Sequence, residues 1–204
     1  MNVLLGFKSH SGWASMVAVG AKNGSFAIAG RRRIELIDDG EAWAKQPYHA
    51  AEDLPVDEAR TLVARGIASA YYVAEQRLSE ISEQIREHHH IAGCAVVMPA
   101  PMPEWNTDEI LSVHFRMHKA EGILFPRAII EAVRKLGLPA IEVPQKTMEE
   151  QAKLVFGEKF GVFSRKIAGL GKSIGPPWRK DQKDATTAAL IAVAQLAGFE
   201  FSEE

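Results

Sequence analysis

A chain of 204 residues that is 47% hydrophobic and 25% charged has the makeup of an ordinary folded protein, which excludes a disordered or fibrous polymer. That length suits one hydrophobic core, so a single domain over residues 1–204 is expected. A net charge of −2 excludes a surface that attracts polyanions everywhere, although basic charge can still be concentrated locally.

The opening Val3-Leu4-Leu5-Gly6 carries no basic leader and no long apolar stretch. A cytoplasmic, reduced protein without signal peptide or membrane span is therefore expected. Cys94, the only cysteine, lies inside the apolar run Ile91 to Met98 and reads as a buried, inert thiol.

Val3 to Phe7 predicts a first strand, and Lys8-Ser9-His10-Ser11-Gly12 a polar break after it. Ala14 to Val19 predicts a second strand, followed by the tight-turn signal Asn23-Gly24. Phe26 to Ala29 and Arg33 to Ile37 complete an antiparallel meander of three strands. The polar segment from Glu41 to Asp53 reads as a connecting loop. Pro55 opens a long helix, with Asp57 and Glu58 in its first turn and Leu62, Ile67, Ala70, Val73, Ala74, Leu78, Ile81 and Ile85 at helical spacing. His88-His89-His90 closes it. Adjacent helical residues point in different directions, so these three read as polar residues at a helix end rather than joint metal ligands.

Ile91 to Met98 is a buried strand ended by Pro99, Pro101 and Pro103. Asn106-Thr107-Asp108-Glu109 caps a helix running to about Ala120, and a second helix runs from Ile123 to Leu136 with Gly137 at its C-cap. Ala140 to Val143 is a short strand. Thr147 to Phe156 is a helix with the Thr147…Glu150 spacing of a capping box. Gly157 to Gly175 is glycine-rich and basic, with a short helix around Ser164 to Ala168. The last helix begins near Trp178-Arg179-Lys180-Asp181-Gln182-Lys183-Asp184-Ala185 and continues through the small-residue run Thr186 to Ala197. Asp181 and Asp184, three apart, share a helix face. The order β-β-β-α-β-α-α-β-α-α predicts an α/β protein with a mixed five-stranded sheet and helices on both faces.

Asp181-Gln182-Lys183-Asp184-Ala185 resembles the Asp-x-x-Asp-Ala at the head of the last helix in the RNase H-like superfamily, and within it in RuvC-type Holliday-junction resolvases. The stretch from Ala120-Glu121-Gly122, through Glu142-Val143-Pro144, to Val155-Phe156-Gly157 follows the same family's order. The resemblance implies an RNase H-like fold over most of the chain, and a site where four carboxylates hold two divalent ions. Two of the four are missing. Lys8 stands at the first-strand position, and Ala95-Val96-Val97-Met98 has no acid at the fourth-strand position, leaving only Glu104, beyond the prolines, to reach back.

Asp181 and Asp184 alone would hold Mg²⁺ or Mn²⁺ weakly and are a poor basis for two ions. Lys8 would either replace the lost cation in a metal-free ion-pair cluster with them or run past them to water.

The resemblance thus implies a RuvC-like protein with a degenerate site that binds structured DNA or RNA, or serves as a scaffold, and it suggests a homodimer. The alternative is a divergent Mg/Mn-dependent endonuclease using Asp181, Asp184 and Glu104. An actin-like or sugar-kinase ATPase half is disfavoured by the short chain and the lack of a second phosphate loop.

Between Lys159 and Asp184 seven basic residues face two acidic ones. Lys8, His10, Arg165, Lys166, Lys172, Arg179, Lys180 and Lys183 are the expected nucleic-acid contacts. Phe160, Phe163 and Trp178 would either stack on bases or dock onto the core. Gly169-Leu170-Gly171-Lys172-Ser173 has the end of a phosphate loop but no first glycine and no preceding strand, so it reads as a flexible loop. Arg31-Arg32-Arg33 would be spread over both faces of a strand. Ser9-His10-Ser11 lacks a third group to orient the histidine as a base. His114 and His118 have the i, i+4 spacing of paired metal ligands but, with no third ligand in sequence, read as a polar helix face.

Overall fold

The computed structural model describes residues 1–22, 25–193, 195 and 196. The chain starts with strand β1 (Asn2–His10), which pairs antiparallel with β2 (Trp13–Lys22), as β2 does with β3 (Ser25–Glu35). Two parallel strands, β4 (His90–Met98) and β5 (Ala140–Pro144), join the other side of β1 and complete the sheet order β3-β2-β1-β4-β5. The mixed five-stranded sheet and its strand directions are those expected. The expected Asn23-Gly24 turn and the end of the run to Ala197 lie outside the described residues.

Alternation along β1 sorts the layers. Val3, Leu5 and Phe7 join one cluster with Ala70, Ala74 and Leu78 of α2 (Val56–Arg86) and Phe125, Ile129 and Val133 of α4 (His114–Lys135). Leu4, on the other face, packs with Val17, Val19 and Ala185, Ala189 and Leu190 of α8 (Lys180–Val193). Ala188, Ile191 and Ala192 cover Ala95, Val97 and Val143 with help from Ala152 of α5 (Met148–Phe156). A Cβ on Gly6 would lie 1.9 Å from the Ala185 carbonyl oxygen, so β1 and α8 touch backbone to backbone there. The small residues of α8 thus serve close packing against the sheet.

Several boundaries differ from the sequence reading. Strand β1 continues through Lys8-Ser9-His10, because β2 offers a full antiparallel partner out to His10↔Trp13, and the turn is confined to Ser11 and Gly12 (φ +82°). The two apolar runs expected to complete the meander lie on one continuous strand, β3, which ends at Glu35 rather than Ile37. The expected loop before α2 contains a 3₁₀ turn (Ala42–Lys45) and a four-residue helix, α1 (Pro47–Ala50). The cap at Asn106 is a full capping box with Glu109, but it starts only the five-residue α3 (Thr107–Leu111).

The two expected helices on either side of Gly122 are the single α4, which runs through Gly122 and Pro126 because its buried stripe from Met117 to Val133 is continuous. Gly137 adopts the left-handed conformation of a C-cap (φ +70°). Thr147 makes no capping bond with its side chain; its hydroxyl accepts from Gln151 Nε2 instead. The glycine-rich stretch is mostly helical, as α6 (Phe160–Gly169) and α7 (Gly171–Ile174), which replaces the flexible loop expected at Gly169–Ser173.

Candidate functional sites

The first cluster lies where the end of β1 meets the start of α8. Arg31 of β3 donates from its guanidinium to the carbonyl oxygens of Ile174 (2.9 Å), Gly175 (2.8 Å) and Pro176 (2.9 Å), and the Trp178 indole donates to the Ile167 carbonyl at 2.6 Å. These bonds fix the segment before α8. Gln182, at the third helical position, accepts from the Arg179 N–H at 2.8 Å, half of a capping box. Its amide donates to Ser15 Oγ on β2 at 3.1 Å. The first turn of α8 is thereby held over the strand ends.

There the sequence-predicted pair divides its partners. Asp181 Oδ1 lies 3.0 Å from His10 Nε2, and the His10 ring stacks on Trp13, with centroids 4.5 Å apart. Arg33 also sits over that indole, 3.8 Å from its centroid. Asp184 is buried and pairs with Lys180, one turn back on its own helix. Lys8 Nζ donates to Gln145 Oε1 at 2.9 Å. Burial pushes the Lys8 ammonium below its ordinary pKa; the Asp184 carboxylate opposes that, Lys180 adds to it and Asp181 opposes it. Lys8 therefore stands in the field of both aspartates.

These residues do not fit a two-ion centre. The strand stretch Ala95–Met98 is buried and apolar, and Glu104 is exposed on a segment whose Met102 and Trp105 pack on the α2–α4 side of the sheet. Among the described residues no ion pair or hydrogen bond joins Glu104 to Asp181 or Asp184.

Around this cluster Arg165, Lys172, Arg179 and Lys180 are exposed and Lys183 is half-buried. Lys183 and Asp184 line a cleft of about 360 Å³ between α5, α6 and α8. Lys166 reaches over the Phe26 ring, 4.6 Å from its centroid, and burial lowers its pKa. The aromatics of this region pack inward. Phe163 stacks between Phe26 and Phe156, with centroids 5.6 and 4.5 Å away, Trp178 packs against the Leu4–Leu190 cluster, and Phe160 packs against the Val97–Ile191 cluster. All three rings dock onto the core and are partly buried there.

A second cluster, on the α2–α4 side, carries no contiguous motif. Glu121 of α4 is 3% exposed, yet carries a carboxylate. Its Oε1 accepts from the backbone N–H groups of Tyr48 (3.1 Å) and His49 (3.0 Å), and its Oε2 from Gln46 Nε2 (3.3 Å) and His49 Nδ1 (2.6 Å). Burial and this carboxylate both raise the Tyr48 phenol above its ordinary pKa. His49 Nε2 is buried and has no hydrogen-bond partner among the described residues. The His49 ring faces His114 and His118, with centroids 4.9 and 4.5 Å away.

One nitrogen from each of the three rings lies within 4.8 Å of the other two. The third residue missing beside His114 and His118 is thus His49, which lies far earlier in the chain. The available signal was Glu121, a lone acid on the same helical stripe, at i+7 from His114 and i+3 from His118. The buried Cys94 thiol is pushed up to about 12 by burial, in keeping with an inert residue. No helix among the described residues is long and apolar enough to cross a membrane.

No protein-family model matches this sequence, and no curated protein matches it. Among solved structures, Thermus thermophilus RuvC in complex with Holliday junction substrate is 14% identical, with a TM-score of 0.49 over 95% of this chain and 94% of that one. A second Thermus thermophilus RuvC structure is 13% identical, with a TM-score of 0.49 over 94% of this chain and 93% of that one. By its strand order, strand directions and helices on both faces, this chain has the RNase H-like fold.

Proposed function

We propose that this protein binds the sugar–phosphate backbone of structured nucleic acid and does not cut it. The observation that carries this reading is the closed charge at the meeting of β1 and α8: His10 lies on Asp181, Lys180 on Asp184, and Lys8 beside both. Carboxylates compensated in this way have few oxygens left for two ions, which need several shared ligands. Exposed Arg165, Lys172, Arg179 and Lys180 then leave the surrounding surface basic in a protein of net charge −2. Such a patch recognises phosphates through counterion release, with affinity falling steeply with salt. The inward-packed aromatics favour backbone contact over base stacking.

The test is a titration of four-way-junction and linear duplex DNA from about 50 to 200 mM salt, with Mg²⁺ or Mn²⁺ present and Asp184→Asn alongside. Salt-sensitive binding without cleavage, retained or strengthened in Asp184→Asn, is expected. Cleavage abolished by Asp184→Asn would replace this reading with a divergent Mg/Mn-dependent endonuclease. No binding at the lowest salt would remove nucleic acid altogether.

A further inference from the structure

The structure assigns a zinc-type metal site to His49, His114 and His118, independent of the nucleic-acid reading and on the other side of the sheet. His49 Nδ1 faces the Glu121 carboxylate at 2.6 Å and so carries the proton, which leaves the Nε2 lone pair for a cation. That Nε2 is buried and unpartnered, a state buried polar atoms rarely occupy without an unseen ion or water. His114 repeats the pattern, with Nδ1 3.2 Å from Glu52 Oε1, which leaves its Nε2 for a cation. His114 Nε2 and His118 Nε2 are 3.1 Å apart. Two nitrogens bound to one tetrahedral zinc at roughly 2.05 Å each would be roughly 3.3 Å apart.

Histidine ligands whose second nitrogen is held by a carboxylate are the usual supporting arrangement of zinc sites. The all-nitrogen donor set selects a borderline ion such as Zn²⁺ over Mg²⁺ or Ca²⁺, which take oxygen ligands. Three protein ligands leave a fourth position for water, and His114 and His118 are exposed, so solvent reaches it. The ion would also tie the segment carrying His49 and Glu52 to α4, joining parts of the chain that meet only in the folded state.

The decisive experiment is equilibrium dialysis of the chelator-stripped full chain with Zn²⁺, together with the visible spectrum of the Co²⁺-loaded protein. One zinc per chain and the intense absorption of four-coordinate Co²⁺ are expected. His118→Ala and His114→Ala, both at exposed positions and checked for fold by circular dichroism, should each weaken zinc binding at least 100-fold. Glu121→Gln should weaken it about 10- to 100-fold. The His88-His89-His90 tract is the competing binder, so a variant with all three changed to alanine must keep its zinc. Absence of stoichiometric zinc, retention of it in His118→Ala, loss of it in the tract variant, or equal binding of Mg²⁺ would each overturn the assignment.

Discussion

The polar clusters on the two sides of the sheet differ in how their charges are closed. At the meeting of β1 and α8, two carboxylates meet two cationic side chains and a histidine, most of them within reach of water. In the pocket between α1 and α4, one carboxylate is sealed by four donors, and the imidazole it orients has an unpartnered nitrogen. The first carries the sequence motif and has little capacity left for a metal. The second carries no contiguous motif and has its donors already aimed. A motif marks where a fold keeps its functional residues, whereas chemical capacity depends on which lone pairs remain free once the neighbours are in place.

The contrast can be broken most forcefully at its structural base. Gly6→Ala places a Cβ against the Ala185 carbonyl oxygen and must push α8 off β1, which should cost about 3 kcal/mol in urea unfolding. A near-neutral result would mean that the α8 cluster is not held by that contact. Glu121→Gln should come next, at about 1–3 kcal/mol, because the neutral amide leaves buried donors imperfectly satisfied. An unchanged unfolding midpoint would show that the carboxylate contributes nothing to the pocket.

Gly122→Ala, on the same helix, acts in the opposite direction. Its Cβ would meet open space, so it should stabilise the protein by about 0.5–1 kcal/mol through helix propensity. A loss of stability there would reveal a constraint on α4 beyond its packing.

The smallest expected effect belongs to Lys8. Burial holds its pKa below the ordinary 10.5, so at neutral pH the folded state carries an ammonium that is better hydrated in the unfolded chain. This penalty is constant below the folded-state pKa and is relieved as pH rises from there towards 10.5. Lys8→Met should therefore raise stability at pH 7, by about 1 kcal/mol or less after solvent screening. Its advantage over the wild type should shrink as the pH climbs to that limit. A stability loss in Lys8→Met at pH 7 would instead make the lysine a net stabiliser of Asp181 and Asp184.

The sequence by itself determined the layers. The unbroken apolar runs of Val3 to Phe7 and of β4 mark strands covered on both faces, while the apolar residues at helical spacing in α2 and the small residues of α8 state which side of each helix must be buried, and burial of those sides leaves few ways to assemble the sheet. The expectation that Lys8 lies near Asp181 and Asp184 rests on the resemblance to RuvC-type resolvases, because strand alternation and helical spacing are local rules and relate no two segments so far apart. Element ends were less legible. Lys8-Ser9-His10 is polar but extended because β2 supplies its hydrogen bonds, and α4 passes through Gly122 and Pro126 because a continuous buried face outweighs two weak positions.

Only the tertiary structure decided the partners: Lys180 rather than Lys8 on Asp184, His10 on Asp181, and His49 beside His114 and His118. Those choices depend on distances between segments far apart in the chain, which no local periodicity encodes.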